Sequence, residues 1–222
     1  MKLKFDSNLE YQQDAIKSVV DLFDGQFINS SDIGFEINNE KSKDFGFSDL
    51  GVGNSLEISD EKLLENLQEI QKNNKIKPDE KLDFIKNDSY LKLESDGFLI
   101  TEDGKKIILE EGNEFPNFSI EMETGTGKTY VYLRSIYELN QKYGFKKFII
   151  VVPSIAIREG VLKNLQITQD HFKDLYGNIP LDYFVYNSSN LGKLRNFTTS
   201  NNLQVMIINI DSFRRDENII NQ

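Results

Sequence analysis

The sequence predicts an α/β fold, with a parallel sheet and crossover helices in the C-terminal half and a smaller α+β segment before it. Three observations carry this. The apolar runs "KKFIIVVP" (146–153) and "LQVMIINI" (203–210) have the composition of strands covered on both faces. Helix-period segments, "GKTYVYLRSIYELNQKYG" (127–144) and "IAIREGVLKNLQITQDHF" (155–172), alternate with the strands. Finally, "IEMETGTGKTYVYL" (120–133) joins an apolar strand to a helix through a loop of small and polar residues with two glycines.

The elements follow in order. In "NLEYQQDAIKSVVDLF" (8–23), Leu9, Ala15, Ile16, Val19, Val20 and Phe23 recur at helical spacing. Asn8 is the expected cap and Gly25 lies beyond the end. Residues 26–58 lack a sustained period and contain several glycines, which predicts loops and short strands. "SDEKLLENLQEIQKN" (59–73) is an amphipathic helix with Ser59 at the cap position, and Lys62 stands where a capping box has Glu or Gln. Pro78 suits the first turn of a further helix. "FLITEDGKKIILEEG" (98–112) reads as a hairpin turning at Asp103-Gly104. "FSIEM" (118–122) and "LDYFVYN" (181–187) complete the predicted strands. The expected domain boundary lies near 112–117.

Composition narrows the function. Zero cysteines exclude disulfides and a thiol nucleophile, and one histidine, His171, speaks against zinc or a histidine-based triad. No apolar run is long enough for a membrane span, and the N-terminus lacks a signal-peptide core, so the cytosol is the expected compartment. The net charge of −10 weighs against a general nucleic-acid binder. Its distribution is uneven: 3 basic against 7 acidic side chains in 1–39, 11 against 19 in 40–117, and 12 against 10 in 118–222. All five arginines (Arg134, Arg158, Arg195, Arg214, Arg215) fall in the last part, which can therefore meet a polyanion.

The loop "METGTGKT" (122–129) carries the chemistry. A strand before it and a helix after it are the context that a phosphate loop of the Gly-x-x-x-x-Gly-Lys-Ser/Thr type demands. Backbone N–H groups from Thr124 and Gly125 through Thr126 and Gly127 to Lys128 can cradle phosphates at the helix N-terminus. Lys128 supplies a compact positive charge, and Thr129 a hydroxyl for Mg²⁺. Met122 departs from the pattern, standing where the first glycine belongs. The bland alternative is a glycine-rich turn with a chance Gly-Lys-Thr. A nucleoside triphosphate with Mg²⁺ is the expected ligand.

Upstream, "EYQQDAI" (10–16) resembles the adenine-reading glutamine motif of superfamily-two helicases, with Gln12 as the matching residue. In turn, 118–168 and "MIINIDSFRRDENIINQ" (206–222) resemble the first motor lobe of the restriction (Res) subunit of type III restriction–modification enzymes. That resemblance implies a RecA-like lobe of an ATP-driven translocase and endonuclease, acting on double-stranded DNA beside a methyltransferase subunit. It implies a glutamine-motif helix over 1–25 belonging to the motor, an acidic insertion over 26–117, and the lobe proper over 118–222. It makes Gln12 the adenine residue, and Lys128 and Thr129 the ATP and Mg²⁺ residues. Pro153, Ser154 and Arg158 fall where a DNA-strand-contacting motif lies, and "NIDSF" (209–213) matches a later DNA-side motif. Each has a plain structural alternative: Pro153 ends a strand, and Arg158 is a solvated helix residue. The acidic Asp-Glu-x-x motif that follows the next strand in such motors is not found before Gln222. The expectation is therefore an N-terminal piece of a larger subunit, inactive by itself. The competing readings are another superfamily-two motor such as that of type I restriction, a small-molecule kinase, and a non-catalytic nucleotide-binding module.

Overall fold

The computed structural model describes residues 5–28, 34–36, 50–86, 98–100, 106–108, 114–187 and 190–214. The chain divides into two compact units, one from Met1–Ser59 with Met122–Gln222, the other Asp60–Glu121.

The first unit holds a parallel sheet of β7 (Lys147–Val152), β8 (Leu181–Val185) and β9 (Leu203–Asn209), in the order β7-β9-β8. Lys147 pairs with Gln204 and Val152 with Asn209, while Leu181 pairs with Leu203. The helices are α1 (Glu10–Asp21), α3 (Lys128–Tyr143), α4 (Ile155–Tyr176) and α5 (Leu191–Thr199). Helices α3 and α4 cover one face of the sheet. Leu133, Ile136, Val161, Leu165 and Phe172 bury Val152, Val205 and Ile207 there. On the other face, Phe197 and Leu194 of α5 pack with Tyr186, Met206 and Ile208.

Coverage differs from the expectation for one strand. β9 is buried along six consecutive residues, as a doubly covered strand should be. β7 alternates instead, with Ile149 51% and Val151 49% exposed. The reason is reach: α5 packs on the β8–β9 side and meets β7 at Lys147, through the Phe197 ring, rather than at Ile149 and Val151.

Helix α1 lies on α3. Ile16 and Val20 meet Val131, Leu139 and Tyr143, and the Tyr143 hydroxyl donates to the Val20 carbonyl at 3.0 Å. Its N-cap is Leu9, without a side-chain cap, rather than Asn8, whose own N–H donates to Asp6. The short strands β1 (Gly34–Glu36) and β2 (Leu50–Val52) pair antiparallel. Beyond β2, Asn54 Oδ1 accepts from the N–H groups of Lys146 and Lys147, and Gln26 spans Ser55, Glu57 and Ile58. These amides fasten residues 54–58 to this unit.

In the second unit are α2 (Asp60–Asn73), β3 (Asp83–Lys86), β4 (Phe98–Ile100), β5 (Lys106–Ile108) and β6 (Glu114–Asn117). β4 and β5 pair antiparallel, and the turn expected at Asp103-Gly104 lies outside the described residues. Two expectations fail. No helix starts at Pro78: the chain turns back there, because Gln71 brackets Asp79 through its N–H and carboxylate while Gln68 takes its carbonyl. Nor is Phe118–Met122 a strand. The ladder to β3 ends at Asn117, and among the described residues no strand pairs with 118–122, so its apolar alternation has no ladder.

Helix α4 runs to Tyr176, beyond the predicted 172, and stops at Gly177 in the left-handed conformation. "NIDSF" falls largely in a 3₁₀ turn, Ile210–Arg214. Helix α5, capped by Asn190, was not anticipated from sequence.

Candidate nucleotide site

The loop after Met122 is built by residue chemistry. Met122 packs beside Ile16, Val20 and Phe145, so the residue in place of the first glycine anchors the loop to the α1–α3 core. Gly125 and Gly127 have φ of 84° and 85°, a region that L side chains enter at a cost. Gly127 is the N-cap of α3, so the loop delivers the chain directly into the helix start. The Glu123 carbonyl accepts from Thr126 Oγ1 at 2.7 Å and from Lys128 Nζ at 2.8 Å.

Gln12 reaches this loop from α1. It is 8% exposed, and its Nε2 donates to the Thr126 carbonyl at 2.9 Å. An alanine Cβ at Gly127 would stand 2.6 Å from that nitrogen. Helix and loop are thus in close contact, with one N–H of the Gln12 amide engaged on the loop.

A pocket of about 750 Å³ opens here. It is lined by Thr124, Gly125, Gly127, Lys128 and Thr129 of the loop and helix start, by Phe5, Asp6, Leu9 and Gln12 from the front of the chain, and by Tyr130 and Asn164. Phe5 stacks with Tyr130 at 6.0 Å between ring centroids and 12° between planes, and lies 5.3 Å from His171. The Tyr130 hydroxyl and His171 Nε2 are 2.8 Å apart. Burial raises the Tyr130 phenol pKa, and burial with the nearby Arg134 charge lowers that of His171, so both groups favour their neutral forms.

The chemistry is that of an anion site next to an aromatic one. Backbone amides at a helix start and the Lys128 ammonium suit phosphates. A single Thr129 hydroxyl suits Mg²⁺, a hard cation that keeps waters and takes its remaining oxygens from phosphate. The residues present fit a nucleoside triphosphate with Mg²⁺.

The sequence-predicted residues separate into two places. Gln12, Thr124, Gly125, Gly127, Lys128 and Thr129 line this pocket, and Thr126 contributes its carbonyl to Gln12. Pro153, Ser154 and Arg158 do not line it and sit at the start of α4. There the Ser154 hydroxyl caps the helix by accepting from the Ile157 N–H at 3.3 Å, and the Arg158 guanidinium pairs with Glu159 at 2.9 Å. Phe5, Asp6, Leu9, Tyr130 and Asn164 were not read from sequence as site residues. Only Phe5, an aromatic shortly before the glutamine, offered a local signal; Asn164 enters through tertiary packing.

A three-stranded parallel sheet flanked by helices, with helix α3 opening on a two-glycine loop that ends Gly-Lys-Thr, defines a lobe of the RecA-like, helicase-type class. The model of the family "Type III restriction enzyme, res subunit" matches residues 7–222, and the chain belongs to that family. It is 40% identical over 119 residues to the StyLTI Res subunit of Salmonella typhimurium strain LT2, a stretch covering 51% of this chain and 12% of that protein. It is 42% identical over 76 residues to the EcoP15I Res subunit of Escherichia coli, covering 33% of this chain and 8% of that protein. The EcoPI Res subunit of Escherichia phage P1 matches to the same extent. The matched stretches span only a small part of these relatives' length. Among the described residues, no helix is long and apolar enough to cross a membrane.

Proposed function

We propose that this chain carries the ATP-binding lobe of the ATP-dependent DNA translocase and endonuclease subunit of a type III restriction–modification system. Its family membership supports the system. One observation supports the ligand: Gln12, 114 residues upstream of Thr126, shares a pocket with the Gly125–Thr129 loop. In this reading the loop amides and Lys128 hold the β- and γ-phosphates, Thr129 holds Mg²⁺, and Gln12 offers Oε1 to an exocyclic amine of the base. Bound ATP supplies the free energy for movement along double-stranded DNA, and a methyltransferase subunit of the same system reads the site. Pro153, Ser154 and Arg158 are the candidate DNA-side residues, through N–H, hydroxyl and guanidinium contacts to phosphates.

The test is nucleotide-induced stabilisation. Mg-ATP should raise the melting temperature of the chain, since a ligand that binds only the folded state stabilises it. Lys128→Ala should abolish that rise. An equal shift in both proteins would overturn the assignment of the phosphate loop.

A further inference from the structure

The pocket has a second wall with no regular structure of its own. Residues 5–9 precede α1, and their local bonds are short-range: Asn8 N–H to Asp6 Oδ1, and Gln13 Nε2 to the Ser7 carbonyl at 3.0 Å. Yet Phe5, Asp6 and Leu9 all face the pocket. A segment held only by itself would not keep a shape complementary to a ligand.

One side chain ties this lip to the helix that starts at the phosphate loop. Arg134, on α3, donates from Nη1 to the Ser7 carbonyl at 2.7 Å. Its guanidinium is itself aimed. Nε donates to the Tyr176 hydroxyl at 3.1 Å, Glu138 lies 3.7 Å away, and Tyr176 donates onward to Glu138 at 2.6 Å. The side chain is only 15% exposed. An arginine fork set by two partners and buried to this degree loses little entropy in holding a third. The lip then places the Phe5 ring beside Tyr130 and His171.

Resting on the nucleotide reading above, we propose that Arg134 is a positioning residue for nucleotide-base binding: through the Ser7 carbonyl it holds the Phe5–Leu9 lip against α3 as the base-side wall of the pocket. Arg134 is not among the residues that line the pocket. The lip offers an aromatic face at Phe5, an apolar one at Leu9 and a carboxylate at Asp6, which suits a flat heterocycle bearing an amine. Among the described residues, the hydrogen bonds on the phosphate loop come from Gln12 and from within the loop, not from residues 5–9. Base affinity and phosphate affinity are therefore separable.

The experiment compares Mg-ATP with Mg-tripolyphosphate, which has the phosphates and no base, by titration calorimetry on the 222-residue chain. Arg134→Ala and Phe5→Ala should each weaken ATP by roughly tenfold, the scale of one lost base stack, and leave tripolyphosphate within about twofold. Tyr176→Phe, which removes one of the two groups that aim the guanidinium and leaves Glu138, should weaken ATP less than Arg134→Ala does and likewise spare tripolyphosphate. Arg134→Met keeps the apolar stem and loses every donor, so a folding defect of the alanine variant does not shield the proposal. An unchanged ATP-to-tripolyphosphate ratio in the Arg134 variants would overturn it. So would equal loss of both ligands. A wild-type chain that binds neither ligand would instead sink the nucleotide reading on which this rests.

Discussion

The Gln12 amide nitrogen lies 2.9 Å from the Thr126 carbonyl oxygen, so the first helix grips the phosphate loop across 114 residues of sequence. The grip leaves no room for a Cβ at Gly127, where φ is +85°. Gly127→Ala should therefore carry two costs. The left-handed backbone costs about 1–2 kcal/mol for an alanine. Displacing the Gln12 amide from Thr126 adds about 1 kcal/mol for a lost hydrogen bond. In a Gln12→Ala background the second cost vanishes. Urea denaturation of the four proteins in this cycle should give a coupling of at least about 0.5 kcal/mol. Strict additivity would mean that helix and loop do not communicate through Gln12.

Met122 offers a second test, because it occupies the place of the motif's first glycine and packs against the α1–α3 core. Met122→Gly restores the motif as written. It also removes an apolar anchor and adds backbone freedom, so it should destabilise the chain by about 1–3 kcal/mol. Nucleotide affinity should not improve, since Gly125 and Gly127 already supply the left-handed turns. A tighter-binding, equally stable variant would show that the glycine matters more than the anchor.

These two residues also show where sequence reading succeeds and where it stops. The loop was legible because its chemistry is contiguous: two glycines, Lys128 and Thr129 stand side by side, with a helix period after them. β9 was legible because a doubly covered strand leaves an unbroken apolar run. The same logic misreads β7, whose equally apolar run keeps one face open because α5 packs elsewhere. Phe118–Met122 alternates like a strand yet lacks a ladder, since pairing depends on a neighbour that the segment does not encode. Pro78 looks like a helix start until Gln68 and Gln71, one turn apart on α2, capture Asp79. The base-side wall was invisible for the same reason. The contact of Arg134 with Ser7 spans 127 residues and has no local signature.

His171 gives a pH prediction. Its imidazole lies 2.8 Å from the Tyr130 hydroxyl, and burial and then the Arg134 charge lower its pKa, against a smaller opposing pull from Asp174. A lowered folded pKa means that the unfolded chain takes up this proton first. The stability tied to His171 is therefore fully present above about pH 6.5 and is lost as the pH falls through the folded value. Carboxylates titrate below this range as well, so the informative quantity is a difference. The stability gap between wild type and His171→Gln, from denaturant midpoints, should shrink or reverse between pH 7.5 and pH 5. A gap independent of pH would show that the ring is not held neutral.

The sheet supplies the last prediction, and it concerns which apolar residues carry the fold. Ile207 lies in the central strand, fully buried among the residues of α3 and α4. Ile149 lies on β7 and is 51% exposed. Both are isoleucines in near-continuous apolar runs, and sequence alone ranks them alike. Truncating Ile207 to alanine removes buried methyl groups and leaves a cavity that the two flanking strands cannot close, which costs about 2–5 kcal/mol. Ile149→Ala removes surface that already faces water, and the same substitution should cost less than about 1 kcal/mol. Chemical denaturation of the two variants decides between the alternatives. Equal losses would mean that the outward face of β7 is covered when the chain is folded in solution. A large loss for Ile207 with a small one for Ile149 would show that α3 and α4 bury the face of the sheet that sustains the fold, and that the outward face of β7 contributes little to it.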